Sequence, residues 1–120
     1  MARQSHTPLT ALGTKTDDYS AGAADLTMTA ADVANKESVT MTGNELVIAH
    51  NTGVGAQTVT VSSVVDDQGR TGDISTYSLA ADDYAVFGPF GTEGWRQSDG
   101  ALYFEADSAD VKFGVVKLVR

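Results

Sequence analysis

Short stretches in which apolar and polar residues alternate run through most of this chain, and a period of two predicts strands. Leu26-Thr27-Met28-Thr29-Ala30 places Leu26 and Met28 on one face. Glu45-Leu46-Val47-Ile48-Ala49-His50 and Gln57-Thr58-Val59-Thr60-Val61-Ser62 follow, separated by Asn51-Thr52-Gly53-Val54-Gly55, and this pair is expected to form a hairpin. Tyr77-Ser78-Leu79 and Tyr84-Ala85-Val86-Phe87 are two more extended pieces around a turn at Ala80-Ala81-Asp82-Asp83. At Gly88-Pro89-Phe90 regular pairing must be interrupted, because proline has no N–H to donate and glycine permits a bulge. Leu102 to Ala106 and Val111 to Val119 supply the last strands, with a register change expected near Gly114 because apolar residues there no longer keep to one face. Residues 30–37 are compatible with a helical turn or a loop.

Before these strands, residues 1–22 hold only Leu9, Leu12, Tyr19 and a few alanines among Ser, Thr, Gly, Asp and Lys, without a sustained period. They are expected to form an arm that cannot order itself in isolation, since it buries too little apolar area to offset its loss of conformational entropy. The expected organisation is an N-terminal arm over 1–22 and one domain over 23–120. Its fold class is all-β, an antiparallel β-sandwich or jelly roll of about seven or eight short strands.

The 120 residues suit a single core. There is no cysteine, which removes disulfides, thiolate metal sites and cysteine nucleophiles. No apolar run approaches the roughly 20 residues of a membrane span, and the first residues lead into no apolar stretch of a secretory signal. A net charge of −8 has the wrong sign for a phosphate backbone, so nucleic acid is not the expected partner, and without an apolar span neither is a membrane. The acids are scattered, as on a solvated surface.

Candidate chemistry is sparse. A serine triad needs a histidine, and the choices are His6, in the expected arm, and His50, at a strand end. Asp66, Asp67 and Asp73 around Gly69 offer oxygens to a cation but lack the spacing of a calcium loop, and a solvated turn has the same composition. Neither metal nor cofactor is expected. Trp95, Phe87, Phe90, Tyr84 and Tyr103 gather the aromatics into one third of the chain, either as core or as a docking surface. Trp95, beside Gly94, is the one placed for a rim.

Taken together, Gly69-Arg70-Thr71-Gly72-Asp73-Ile74, Tyr84-Ala85-Val86-Phe87-Gly88-Pro89-Phe90, Gly94-Trp95-Arg96-Gln97-Ser98-Asp99-Gly100 and Val111-Lys112-Phe113-Gly114-Val115 resemble the head decoration, cement or auxiliary capsid proteins of tailed bacteriophages. The resemblance covers roughly residues 45–118. It implies a non-enzymatic virion protein on the outer capsid surface that fastens adjacent subunits of the major capsid protein, often as a homotrimer. The alternative is a carbohydrate- or protein-binding module of a phage tail or fibre. Leu9, Leu12, Tyr19 and Trp95 are the expected contacts to capsid or neighbouring subunit.

Overall fold

The computed structural model describes residues 2–13 and 20–118, and among them every regular element is a strand. Ten strands form two five-stranded sheets packed face to face. They are β1 (Gln4–His6), β2 (Leu9–Thr10), β3 (Thr29–Ala30), β4 (Glu37–Thr40), β5 (Glu45–Asn51), β6 (Gln57–Ser62), β7 (Ile74–Leu79), β8 (Tyr84–Phe90), β9 (Ala101–Ala106) and β10 (Val111–Lys117). One sheet has the order β1-β4-β9-β6-β7; the other has β2-β10-β5-β8, with β3 beside β2 on the same edge of β10.

The expectation of a purely antiparallel sheet needs correction. The pairings among β3 to β10 are all antiparallel, but β1 runs parallel to β4 and β2 parallel to β10. Both parallel pairs come from residues 4–10, which cross from the edge of one sheet to the edge of the other. The expected arm thus contributes two short strands, and its polar composition is no obstacle because such short edge strands are held mainly through their backbones.

Inward positions follow the alternation closely. Val47 and Ala49 of β5, Val59 and Val61 of β6, Leu102 and Phe104 of β9, and Val111, Phe113 and Val115 of β10 are all buried between the sheets. Phe104 and Phe113 meet edge to face across the core at 4.9 Å.

The hairpin expected from residues 45–62 does not form. β5 and β6 lie in opposite sheets, so residues 52–56 arch over the core and the valines of the two strands face one another across it. Buried Asn51 holds this arch. Its Nδ2 donates to Gly55 O at 2.8 Å and to Leu79 O at 2.9 Å, while its Oδ1 accepts from Gly53 N at 2.9 Å. The same side chain therefore ties the arch to the end of β7, where residues 80–83 make a second crossing between sheets.

A bulge does fall at Gly88-Pro89, where three steps along β8 match two along β5 between Glu45 and Val47. Gly88 has φ +113°, and a Cβ there would lie 2.8 Å from Glu45 O, so only glycine fits. β8 nevertheless continues to Phe90. No register change occurs at Gly114, because β10 pairs with β5 without a break from Val111 opposite Asn51 to Lys117 opposite Glu45. The apolar pattern there has another cause. Leu26 and Met28 lie over the outer face of β10, and a Cβ on Gly114 would meet Met28 Sδ at 2.7 Å and Leu26 Cδ1 at 3.0 Å. The alternation in residues 26–30 reports this covering face, although only Thr29–Ala30 pairs as a strand.

Candidate functional site

Three places on the described surface combine unusual side chains with a defined geometry. The first is where the N-terminal residues meet β4. Glu37 occupies an inward position of β4 and is fully buried. Its carboxyl oxygens accept from Gln4 Nε2 at 2.6 Å and from Asp32 N at 3.1 Å, with His6 Nε2 at 3.4 Å. His6 is itself buried, its ring 5.3 Å from Phe104 and 6.3 Å from Phe113. Arg3 lies with its guanidinium 3.9 Å over the ring of Tyr103 and donates to Glu37 O at 3.0 Å. Tyr103 donates to Asp99 at 2.6 Å, a bond that raises the phenol above its usual pKa and lowers Asp99. Residues 3–6 are therefore docked by side chains as well as by backbone. His6, expected in a mobile segment, is a packing residue at the end of the core.

A second buried acid, Glu45, begins β5. Burial alone would raise its pKa, but the hydroxyl of Thr42 at 2.6 Å and the N–H groups of Thr42, Gly43 and Asn44 at 2.9, 3.0 and 3.2 Å outweigh it and hold the carboxyl below its ordinary value of 4.5. A depressed folded-state pKa stabilises the fold fully above the unfolded value, and that contribution is lost as pH falls through the folded value. Glu45→Gln is expected to lower stability at neutral pH and to flatten its decline below about pH 4.5. Urea midpoints measured from about pH 6 down to about pH 3 check this. An acid limb as steep in the variant as in the parent would show that Glu45 does not set it.

The second place is a cleft of about 280 Å³ lined by Ser63, Asp66, Arg70, Glu93 and Trp95, among others. Trp95 is partly buried and packs against Phe90 at 4.7 Å, so it joins the core to the cleft wall. The Asp67 carboxylate beside Glu93 accepts a hydrogen bond from it and repels its charge, raising the Glu93 pKa. Of the three acids weighed as cation donors, Asp67 faces Glu93, and Asp66 and Asp73 are engaged within residues 63–73. Asp66 accepts from the N–H groups of Gln68 and Arg70, both at 2.9 Å, and from Arg70 Nε at 3.0 Å; Asp73 accepts from Ser63 N and Oγ, both at 2.7 Å. Among the described residues no three His, Asp or Glu side chains converge as a metal site.

The third place is β8, at the end of its sheet. Its inward residues Ala85 and Phe87 are buried, whereas Tyr84 and Val86 are 65% and 61% exposed. Tyr84 stacks flat on His50 of β5 at 3.8 Å, and His50 Nε2 lies 3.0 Å from Asp82 Oδ1. His50 thus sits on an outer sheet face, with no serine nucleophile among its contacts.

Of the residues singled out in the sequence, Leu9 is half-buried in β2 opposite Val116, and Leu12 is half-buried just beyond it. Trp95 stands at the cleft, far along the chain from both. Tyr19 lies outside the described residues. Sequence reasoning missed Glu37 and Arg3, and it placed His6 in the expected arm rather than against the core. The available signal was Glu37 in phase with Val39 and Met41, but a charged residue at an inward position reads as polar and hides the alternation.

Comparison with protein-family models, with curated proteins and with solved structures found no match.

Proposed function

We propose that this chain is a non-enzymatic virion structural protein of a tailed bacteriophage, bound to the outer capsid surface and fastening adjacent subunits of the major capsid protein. The observation that carries the reading is the course of residues 4–10, which lie along the edges of both sheets on one side of the sandwich. A segment so placed is held by few backbone bonds, is reachable by a neighbouring subunit, and presents Leu9 and Leu12 near the surface.

The strand order supports a finer reading of the fold. β3-β10-β5-β8 facing β4-β9-β6-β7 is the arrangement of an eight-stranded jelly roll, with β1 and β2 as additions. Jelly rolls serve both viral capsids and lectins, so the fold alone does not choose between them. The cleft beside Trp95 favours a second reading, a carbohydrate-binding module of a tail or fibre, because an aromatic flanked by Arg70 and Glu93 suits a sugar.

Isolated particles separate the two. A cement protein is expected in hundreds of copies per virion, with cross-links from residues 2–13 to the major capsid subunit. A few copies per particle, located at the tail, together with glycan binding abolished by Trp95→Ala, would replace the first reading by the second.

A further inference from the structure

Each sheet ends in two edges, and three of the four are guarded. On one side β1 and β2 are only three and two residues long. On the other, β7 is broken by a register shift between Val59 and Val61, with Thr76 at φ +46° and its N–H turned to Thr60 Oγ1 at 2.9 Å. Short strands and bulges are the devices that stop edges from pairing. β8 carries a bulge and a proline at Gly88-Pro89, but over Tyr84 to Phe87 it pairs regularly with β5, and among the described residues no strand lies on its other side.

The phase of the ladder identifies the groups that are turned outward. Asn51 N donates to Asp83 O at 3.0 Å and Asn51 O accepts from Asp82 N at 2.8 Å, so both backbone groups of Asn51 face the β8 side. With Thr52 N donating to Asp110 O at 2.9 Å on the β10 side, the alternation along β5 is fixed: Ala49 and Val47 bond to Ala85 and Phe87. The N–H and C=O groups of Tyr84 and Val86 therefore point away from the sheet.

We propose that β8 pairs antiparallel with β8 of a second copy of this chain, about a two-fold axis at Val86, to make one sheet continuous through both molecules. In that register Val86 faces itself across a hydrogen-bonded pair, and both of its free backbone groups are satisfied. Ala85 then falls opposite Phe87 and Tyr84 opposite Gly88, so on either side of the Val86 pair a bulky residue meets a small one. Charge favours the same register although the chain carries −8. Asp82 and Asp83 precede the first residue of β8, so a two-fold axis at Val86 puts those of the two copies at opposite ends of the seam. Tyr77, 48% exposed and edge-on to Phe87 at 5.4 Å, stands beside the seam on the facing sheet. This contact is isologous and closed, so it predicts a dimer and departs from the three-fold association that the resemblance implies.

The test uses two variants and their mixture. Val86→Lys and Val86→Glu each place like charges opposite one another at the axis, and each is expected to weaken dimerisation about a hundredfold by sedimentation equilibrium. Since Val86 is exposed, both variants are expected to keep the parent's far-ultraviolet spectrum and, at concentrations where the parent is monomeric, its unfolding midpoint. An equimolar mixture of V86K and V86E is expected to restore dimers, which a misfolded variant would not do. Amide exchange at Tyr84 and Val86 should be slow in the parent at high concentration and fast in either variant alone. Ser78→Lys, on the β7 edge, should change nothing. A parent that is monomeric at every concentration overturns the proposal, as does a trimer, a dimer indifferent to V86K, or a mixture that stays monomeric.

Discussion

Replacing Glu37 by alanine is expected to lower the free energy of unfolding by about 3 kcal/mol, a large part of the roughly 5–15 kcal/mol of an ordinary domain. Truncation removes the acceptor for Asp32 N, Gln4 Nε2 and His6 Nε2 at once, and of these only Gln4 keeps a partner, through Ala30 O at 3.0 Å. A buried donor left without an acceptor loses its full hydration, which costs more than the bond contributed when made. The effect should reach the N-terminal residues. Amide exchange of residues 4–6 is expected to rise more than that of β5 or β10, because β1 is docked on Glu37. Chemical denaturation of the purified variant gives the magnitude, and a loss below about 1 kcal/mol would mean that water already reaches the Glu37 carboxyl.

Phe104→Ala is expected to be the most damaging single truncation in the core, at about 4 kcal/mol. Phe104 is fully buried at the centre of β9, where it touches Phe113 of the opposite sheet and His6 of the N-terminal segment. Removing its ring leaves a cavity bounded by two other rings that cannot both move to fill it. The loss should not be additive with His6→Ala. A double-mutant cycle is expected to give a coupling of at least about 0.5 kcal/mol, since each side chain supplies packing surface for the other. Independent effects would separate the N-terminal segment energetically from the core and remove the role assigned to His6.

β6 and β9 were legible in the sequence because their inward residues are apolar and their outward residues mostly are not, as at Val59 and Val61 between Thr58, Thr60 and Ser62, whereas β5 and β10 were legible as apolar runs bounded by turn residues. Periodicity reports which side chains share a face. It says nothing about which strand is the neighbour, so residues 45–62 read as a hairpin although Asn51 turns the chain across to the other sheet. At Gly114 the pattern was double-sided for a reason remote in sequence, the pair Leu26 and Met28 lying on top. β1 and β2 were illegible because two or three residues held by backbone leave no mark in hydropathy. At the candidate sites, the exposure of Tyr84 and Val86 depended on β8 being the last strand of its sheet, a property of topology rather than of local composition. Trp95 was anticipated beside flexible backbone, and the cleft it joins is assembled from residues 63–72 and 93–95.

The place of β10 in the sheet bears on how the molecule comes into being. Although last in the sequence of strands, β10 is interior, joining β5 on one side to β2 and β3 on the other. Until it has left the ribosome, β5 has no inner neighbour and Val47 and Ala49 have no cover from Val115 and Phe113. Consecutive strands mostly lie in opposite sheets, with β6 and β7 the main exception, so few native contacts are local and early hairpins have little to build on. Chains with such non-local pairing fold in milliseconds to seconds rather than microseconds. The closing of the sandwich therefore waits for β10.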